Sequence, residues 1–558
     1  MNMKKIEIKV LAFATLLFWI FQLLGEEREW MYLLILTGIA VVLMALKTKL
    51  KINNLALYTI LFQIVALYLL RLFRITKQST IFDDNANRNI VLEVALILIA
   101  LCIVYIFARK KNNFITKRKI NLVYVVMAIG FLIRELNCYT TGYVALQNDV
   151  GIFEEGANGH MGYIYAFFKH FTFPKGDPRD FCQYYHPPLH HSVSAMWAKL
   201  NSWLGVPEDL LPEMIQVLAL FYSMMVIIVG YKIMKEITKN KKALLIGVVL
   251  VTFFPYAIEY AGAVNNDQLC LVLSLMAILY FIRWYKKSSY KNIILCAVCL
   301  GCGMMTKMSA SVLAPPMAVM FVFKLIKDRK NILNYIKQYL CFGAISIPLG
   351  LWYPIRNLIL YGMPLNYVLR LPKDSVYDLE GKFTVTQRLF GFSWDQFNAL
   401  QIDWAQDAKD YVSNIWISLS KYAVYGESDY FAKDKYTGIV GTWMYRAMII
   451  LIVLVIVGFV AWFFKYKMNR EIKAYLALTV IVGILSYLYF QFEYPGTPTL
   501  SIRYMMTTVV LLLGIAGVSA NCLNKLKSKD IWMRAIEVFL AVYVVVNTVG
   551  TLSLLFRA

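Results

Sequence analysis

Long apolar runs separated by short basic loops repeat along this chain, and that alternation decides the class of fold before any residue is weighed singly. Runs near residues 9–25, 30–46, 54–72, 90–108, 120–137, 211–231, 243–259, 268–282, 293–306, 309–323, 338–354, 441–464, 474–491, 503–521 and 535–556 approach the ~20 apolar residues with which a helix crosses a bilayer. Composition points the same way. Of 558 residues, 59% are hydrophobic and 16% charged, against about 25% charged in a soluble domain, so polar side chains are too few to cover a globular surface. The expected fold class is therefore an all-α polytopic integral membrane protein.

The basic loops lie at 47–51, 109–119, 232–242, 283–291, 324–337, 465–473 and 525–534. By the positive-inside rule they share the cytoplasmic face with Lys4 and Lys5, so neighbouring loops enclose an even number of crossings and the total is about 15. The runs at 293–306 and 309–323 are short and meet at Lys307, which suggests a broken or re-entrant hairpin. The first run follows Lys4 and Lys5 without a small-residue cleavage site and reads as an uncleaved anchor. Lys plus Arg number 57 against 34 Asp plus Glu, a net +23. Set in loops between apolar runs, this excess reads as attraction to anionic lipid and the cytoplasm, not to nucleic acid. Most of the nine cysteines sit inside apolar runs, and Cys296, Cys299 and Cys302 have no His or carboxylate beside them, so neither a disulfide framework nor a zinc motif is implied.

Two outer connections are long, roughly 138–210 and 355–440. All five histidines (His160, His170, His186, His190 and His191) fall in the first. Histidine is disfavoured in lipid and collects in whatever ectodomain exists, yet the longer second loop has none, which favours a site. Upstream stand Gln147-Asn148-Asp149 and then Glu154 and Glu155, carboxylates placed where the chain leaves the bilayer. They suit a general base or a metal ligand, or else belong to an ordinary solvated loop. From His160 through Tyr163, Ile164, Phe167, Phe168 and Phe171 the spacing is helical and suggests an amphipathic helix in the interface. The run from Gln183 through Tyr184, Tyr185, His186, Pro187 and Pro188 to His190 and His191 reads as a rigid corner opening another helix. The second loop mixes Trp394-Asp395, Asp403-Trp404, Trp416, Tyr422, Tyr425 and Tyr430, either sugar or lipid platforms or an interfacial aromatic belt.

The order of these pieces resembles the polytopic GT-C glycosyltransferases that use polyprenyl-phosphate sugars, among them the protein O-mannosyltransferases and bacterial aminoarabinose transferases. The resemblance rests on Asp149, His160, Tyr163 and Ile164, the Tyr-His-Pro-Pro-Leu corner, Asn265-Asn266-Asp267, the stretches Leu300-Gly301 and Thr306-Lys307, Trp352-Tyr353-Pro354-Ile355-Arg356-Asn357, Tyr361-Gly362, Tyr425-Gly426-Glu427, and Ile502-Arg503-Tyr504. It covers about 119–520 and departs where many relatives carry adjacent acids, since Asn148 precedes Asp149 here. It implies a catalytic membrane domain at 119–558 of about 11 spans; the four spans at 1–118 fall outside it and, having no comparable outer loop, read as an appended extension.

The implied reaction moves a sugar from a polyprenyl-phosphate donor to an acceptor hydroxyl on protein, glycan or lipid. It would occur on the extracytoplasmic face of a plasma membrane, with the N-terminus cytoplasmic. Transfer from a lipid phosphosugar needs a base, in-line attack at the anomeric carbon and cations for the departing phosphate. Asp149 is the expected base of an inverting displacement, with Glu154, Glu155 or Asp267 as a second acid. Lys307, Arg356, Arg503, His160, Tyr185, His186 and His190 are the expected phosphate or sugar contacts. No cofactor is required; a divalent metal on His160, His186 and His190 is the alternative use of those rings, weakened because Pro187 and Pro188 interrupt the i, i+4 spacing. Arg134, inside a span, reads as structural or paired with Glu135. A polysaccharide polymerase or ligase, which would rely on loop arginines, and a lipid-sugar transporter or flippase, which would show related halves, are the competing classes.

Overall fold

The computed structural model describes residues 122–144, 149–174, 176–372, 375, 377–400, 414–427, 435–525 and 529–554. The four-span extension, Gln147, Asn148, Asp403, Trp404 and Tyr430 lie outside the described residues.

Each apolar run expected after residue 119 coincides with helix. In chain order the helices are α1 (Leu122–Thr140), α2 (Gly159–His170), α3 (Leu189–Trp203), α4 (Leu211–Ile237), α5 (Lys241–Thr252), α6 (Pro255–Glu259), α7 (Asp267–Lys286), α8 (Tyr290–Thr306) and α9 (Ala314–Lys327). There follow α10 (Ile332–Tyr361), α11 (Val385–Phe390), α12 (Trp394–Asn398), α13 (Ile415–Tyr425), α14 (Lys435–Lys465), α15 (Arg470–Glu493), α16 (Met506–Ser519) and α17 (Lys529–Leu554). Among the described residues there is no strand, only one isolated bridge between Asp378 and Gly496. Among the described residues, seven helices are long and apolar enough to cross a membrane, or up to eight if one bent pair is a single span.

That bent pair is the run expected to be continuous at 243–259. It breaks between α5 and α6 with a 61° bend. The cause is local: Pro255 has no amide hydrogen to give the preceding turn, and its ring drives Phe254 into the extended region, at φ −68° and ψ 118°. The junction at Lys307, by contrast, leads through a short 3-10 turn at Met308–Leu313 into α9, and Met308–Lys327 together make a 20-residue span.

Helix α2 also departs from expectation. Instead of lying half-exposed, it buries Tyr163, Ile164, Phe167 and Phe168 against its surroundings and packs on α3, leaving Phe171 exposed at its end. Helices α4, α5 and α7 are largely buried, whereas α9 and α14 leave Val319, Phe323, Ile450, Val453 and Val457 exposed. Such continuous apolar faces suit hydrocarbon, not water. Within the bundle, small residues let backbones approach: a Cβ on Gly517 of α16 would stand 2.3 Å from the amide nitrogen of Gly247 in α5. Arg134 is fully buried, and it donates to Ser223 Oγ (3.1 Å) and to the carbonyls of Gly130 (3.1 Å) and Thr252 (2.7 Å), so it fastens α1 to α4 and α5.

Glu236 pairs with Arg283 and Lys286, Lys324 reaches the Tyr285 carbonyl, and Lys327 pairs with Glu471, so the turns at 238–240, 287–289, 328–331 and 466–469 share one end of the bundle. The end of α1, the starts of α7 and α16 and the end of α8 meet at the other. Asp149, Asp267, Lys307 and Arg503 all belong to that second end.

Candidate active site

Asp149 and His160 are eleven positions apart in sequence yet adjacent in space because the loop between them is pinched shut. His160 donates its backbone N–H to the Asp149 carbonyl (3.1 Å), Met161 donates to the Val150 carbonyl (2.7 Å), and the Cys182 amide is received by Asn158 Oδ1 (2.8 Å). Only glycine fits at the pinch. Gly151 has φ +67° and a Cβ there would lie 1.8 Å from the Asn158 carbonyl oxygen, while Gly159 has φ +89° against Val150. The second strap is the proline corner: Pro188 precedes the first turn of α3, Ser192 bonds back to the Pro188 carbonyl, and Tyr184 donates its hydroxyl to Ala157 O (3.0 Å).

The result is a cavity of about 350 Å³ whose wall carries Asp149, His160, Gln183, Tyr185, His186, Asp267, Lys307, Tyr487, Arg503 and Tyr504. Arg503 Nη1 lies 3.0 Å from Asp149 Oδ2, 3.7 Å from Glu427 Oε1 and 3.4 Å from the Tyr260 hydroxyl, and its Nη2 donates to the Tyr504 hydroxyl (3.1 Å). Lys307 Nζ pairs with Asp267 Oδ1 at 2.5 Å and sits 5.0 Å over the Tyr504 ring. Asp267 is aimed by its neighbours: Asn265 Oδ1 receives its backbone N–H (3.0 Å), and Asn266 Nδ2 reaches the Thr306 carbonyl, tying the start of α7 to the end of α8 (3.3 Å).

Two atoms of the central ion pair remain unused. Asp149 Oδ1 and Arg503 Nε are buried without a hydrogen-bond partner on a cavity wall, the position in which a ligand's polar atoms are wanted. Burial pushes the Asp149 carboxyl up, but Arg503 and then His160 outweigh it, so the group is held well below the usual carboxylate range and stays ionised. The His186 imidazole is driven the other way, well below its ordinary value, by burial and by nearby Lys307, so it is a neutral donor and acceptor in the wall. Burial raises the Tyr185 hydroxyl, which remains a protonated donor.

Not every expected residue comes to this cavity. Glu154 and Glu155 are exposed, and Glu155 pairs with His170 at 3.2 Å on the surface. Arg356 stacks over Phe173 (5.2 Å) and Tyr361 (5.7 Å) and lines a separate small pocket with Tyr163 and Tyr184. His190 lies behind His160, buried, with its ring nitrogens unpartnered and its pKa lowered to about 3 by burial and by His160. The metal alternative finds no assembled site among the described residues. The rings of His160 and His186 stack with centroids 6.0 Å apart and planes 8° from parallel, so they do not converge on one point.

Three groups that spacing alone did not single out as site residues stand at Arg503: Tyr504, which is on the cavity wall, and Glu427 and Tyr260, which contact the guanidinium from beside the cavity. Tyr260 and Tyr504 lie within two positions of a helix end in the bundle, whereas Glu427 follows the short helix α13 and carries no such signal.

Residues 186–352, from the proline corner through α10, match the family described as dolichyl-phosphate-mannose-protein mannosyltransferase. The match spans 167 of the 558 residues. It takes in His186, His190, Asp267 and Lys307, while Asp149 and Arg503 lie outside it. No curated relative matches the chain. Similar solved structures include ArnT from Cupriavidus metallidurans bound to undecaprenyl phosphate, at 13% identity and TM-score 0.34, covering 73% of this chain and 81% of that one. The Archaeoglobus fulgidus oligosaccharyltransferase in its apo form is similar at 12% identity and TM-score 0.42, covering 79% and 57%. The same archaeon's AglB in complex with an inhibitory peptide and a dolichol-phosphate is similar at 12% identity and TM-score 0.38, covering 78% and 56%.

Proposed function

We propose that this glycosyltransferase moves a sugar from a polyprenyl-phosphate donor to an acceptor hydroxyl on the extracytoplasmic face, by an inverting displacement with Asp149 as base. The carrying observation is the Asp149–Arg503 ion pair on the cavity wall, both of whose members keep a buried unpartnered polar atom. ArnT and AglB, in the structures above, hold undecaprenyl phosphate and a dolichol-phosphate, which agrees with a lipid-phosphate donor. The basic turns at the opposite end of the bundle support the extracytoplasmic orientation.

The step is balanced within the site. The acceptor oxygen attacks the anomeric carbon, its proton passes to Asp149, and the bond from that carbon to the phosphate oxygen breaks. Phosphate leaves with the bonding pair and is met by Arg503 and Lys307. It is already a good leaving group, so no strong general acid is required. In the donor-free arrangement Asp149 is ionised but weakly basic, because Arg503 stabilises its charge. A phosphate arriving at Arg503 competes for that cation, and burial then raises the carboxyl toward the basicity that proton abstraction needs. Asp267 holds Lys307 at the cavity edge and supplies the second carboxylate there.

The test is donor consumption from a panel of polyprenyl-phosphate monosaccharides in nanodiscs, including slow hydrolysis by water, for the native protein and Asp149→Asn. Turnover of one donor, lost by at least about a hundredfold in the variant, is expected for a missing general base. Undiminished turnover by a folded Asp149→Asn protein refutes the assignment.

A further inference from the structure

We infer that His191 is a positioning residue for the Asp149 carboxylate, acting through His160. The inference rests on the reading of Asp149 as the base and deepens it.

His160 presents Nε2 to Asp149 Oδ2 at 3.7 Å, while its Nδ1 lies 2.9 Å from His191 Nε2. The two rings stack with centroids 5.2 Å apart and planes 12° from parallel. A neutral imidazole carries one N–H, so the bond to His191 at one ring nitrogen of His160 determines which form of the other nitrogen faces the carboxylate. Were His160 to carry its proton on Nδ1, the bare Nε2 lone pair would face a carboxylate. The favourable arrangement puts N–H on His160 Nε2, toward Asp149, and leaves Nδ1 to accept from His191 Nε2–H. His191 is then left with a bare Nδ1, and that atom is buried without a partner. An unpartnered buried acceptor lowers stability, so the arrangement is poorly explained by packing alone.

Its setting keeps His191 neutral. The ring is fully buried on the first turn of α3, packed 4.3 Å from the Tyr163 ring of α2, with His160, His190 and His186 as its titratable neighbours. Around Asp149 the facing groups are Arg503, His160 and Lys307, with Tyr260 and Glu427 beyond Arg503 and with Cys182 and Tyr185 on the loop side. His160 is thus the group that can offer Asp149 an N–H whose direction a second residue enforces.

Without the His191 donor, His160 is free to adopt the other tautomer and to present a lone pair to Asp149. The carboxylate loses part of its stabilisation and its orientation toward the acceptor. The experiment uses the full chain in nanodiscs with the polyprenyl-phosphate sugar that the native protein consumes, and records kcat and KM from pH 4.5 to 8.5. His191→Leu is expected to lower kcat about tenfold, the usual size for losing an orienting partner, with donor KM unchanged and the acidic limb moved up by about one pH unit. His191→Gln, whose amide places an N–H near the Nε2 position, is expected to restore both.

An acidic limb that stays in place in His191→Leu, or a Gln variant as impaired as the Leu variant, overturns the inference. If His191→Leu fails to fold, His191→Asn replaces it, because the Asn amide reaches only the Nδ1 position. Equal activity of the Asn and Gln variants then overturns the inference. Native turnover that does not depend on Asp149 refutes the underlying base assignment instead, and the inference falls with it.

Discussion

Replacing Arg503 by Met removes the cation at the centre of the cavity and leaves Asp149 with burial but without its main counter-charge. Removing one partner of a buried pair costs about 3–5 kcal/mol. Here the side chains of Asp149 and Arg503 are 17% and 10% exposed at 3.0 Å, and the cavity admits solvent, so the lower bound of about 3 kcal/mol applies. That cost falls on folding stability; because the same guanidinium is the proposed phosphate contact, kcat/KM for the lipid donor is expected to fall as well, by roughly two orders of magnitude, the size of a lost charge-assisted contact. The pH profile carries a second signature. Arg503 lowers the Asp149 carboxyl against burial, so without it the carboxyl rises and the acidic limb of kcat moves to higher pH. Arg503→Lys keeps the charge but loses the fork that reaches Asp149, Tyr260 and Tyr504 together, and about a tenfold loss is expected. The assay is donor turnover against pH at fixed ionic strength. Arg503→Met within threefold of the native protein, with an unmoved acidic limb, refutes the reasoning.

The Lys307–Asp267 pair is expected to behave as a unit. Lys307→Met and Asp267→Asn each raise donor KM, and the double variant loses less than the sum of the two in a double-mutant cycle, whereas additive losses contradict the pairing. Stability should fall with acidity before the carboxylates matter. His186, His190 and His191 are held neutral below their ordinary value, so unfolded chains bind more protons and the midpoint of thermal unfolding drops as pH falls below about 6.5. Asp149, whose carboxyl is depressed, adds its own loss only below about pH 4, and a midpoint flat from pH 7.5 to 5 contradicts the histidine account.

The helical class was legible because bilayer length and loop charge act on whole segments, and each run after residue 119 became helix. Chain breaks within a run were less legible. Pro255 stops a helix at a place where hydropathy is unbroken, while the two short runs that meet at Lys307 become α8, whose C-cap is Lys307, and a 3-10 turn leading into α9. Candidate residues near span ends separated by geometry. Asp149, Lys307 and Arg503 converge because their helices end on one side of the bundle, and Arg356, near the end of α10, turns into an aromatic nest instead. The burial of α2 was not legible, since its polar face meets the proline corner and not water. Nor was the His160–His191 bond, which depends on how α2 and α3 pack. Glu427 reaches Arg503 across 76 positions, a pairing that no local pattern encodes.

The most direct test of the central claim is to locate the phosphate of a bound lipid carrier by electron cryomicroscopy of the protein in nanodiscs with polyprenyl phosphate. The account predicts phosphate density within hydrogen-bond reach of Arg503 or Lys307, beside Asp149 in the cavity that His186 and Tyr504 line. Phosphate density in the separate pocket at Arg356, with the Asp149–Arg503 pair undisturbed, would contradict it.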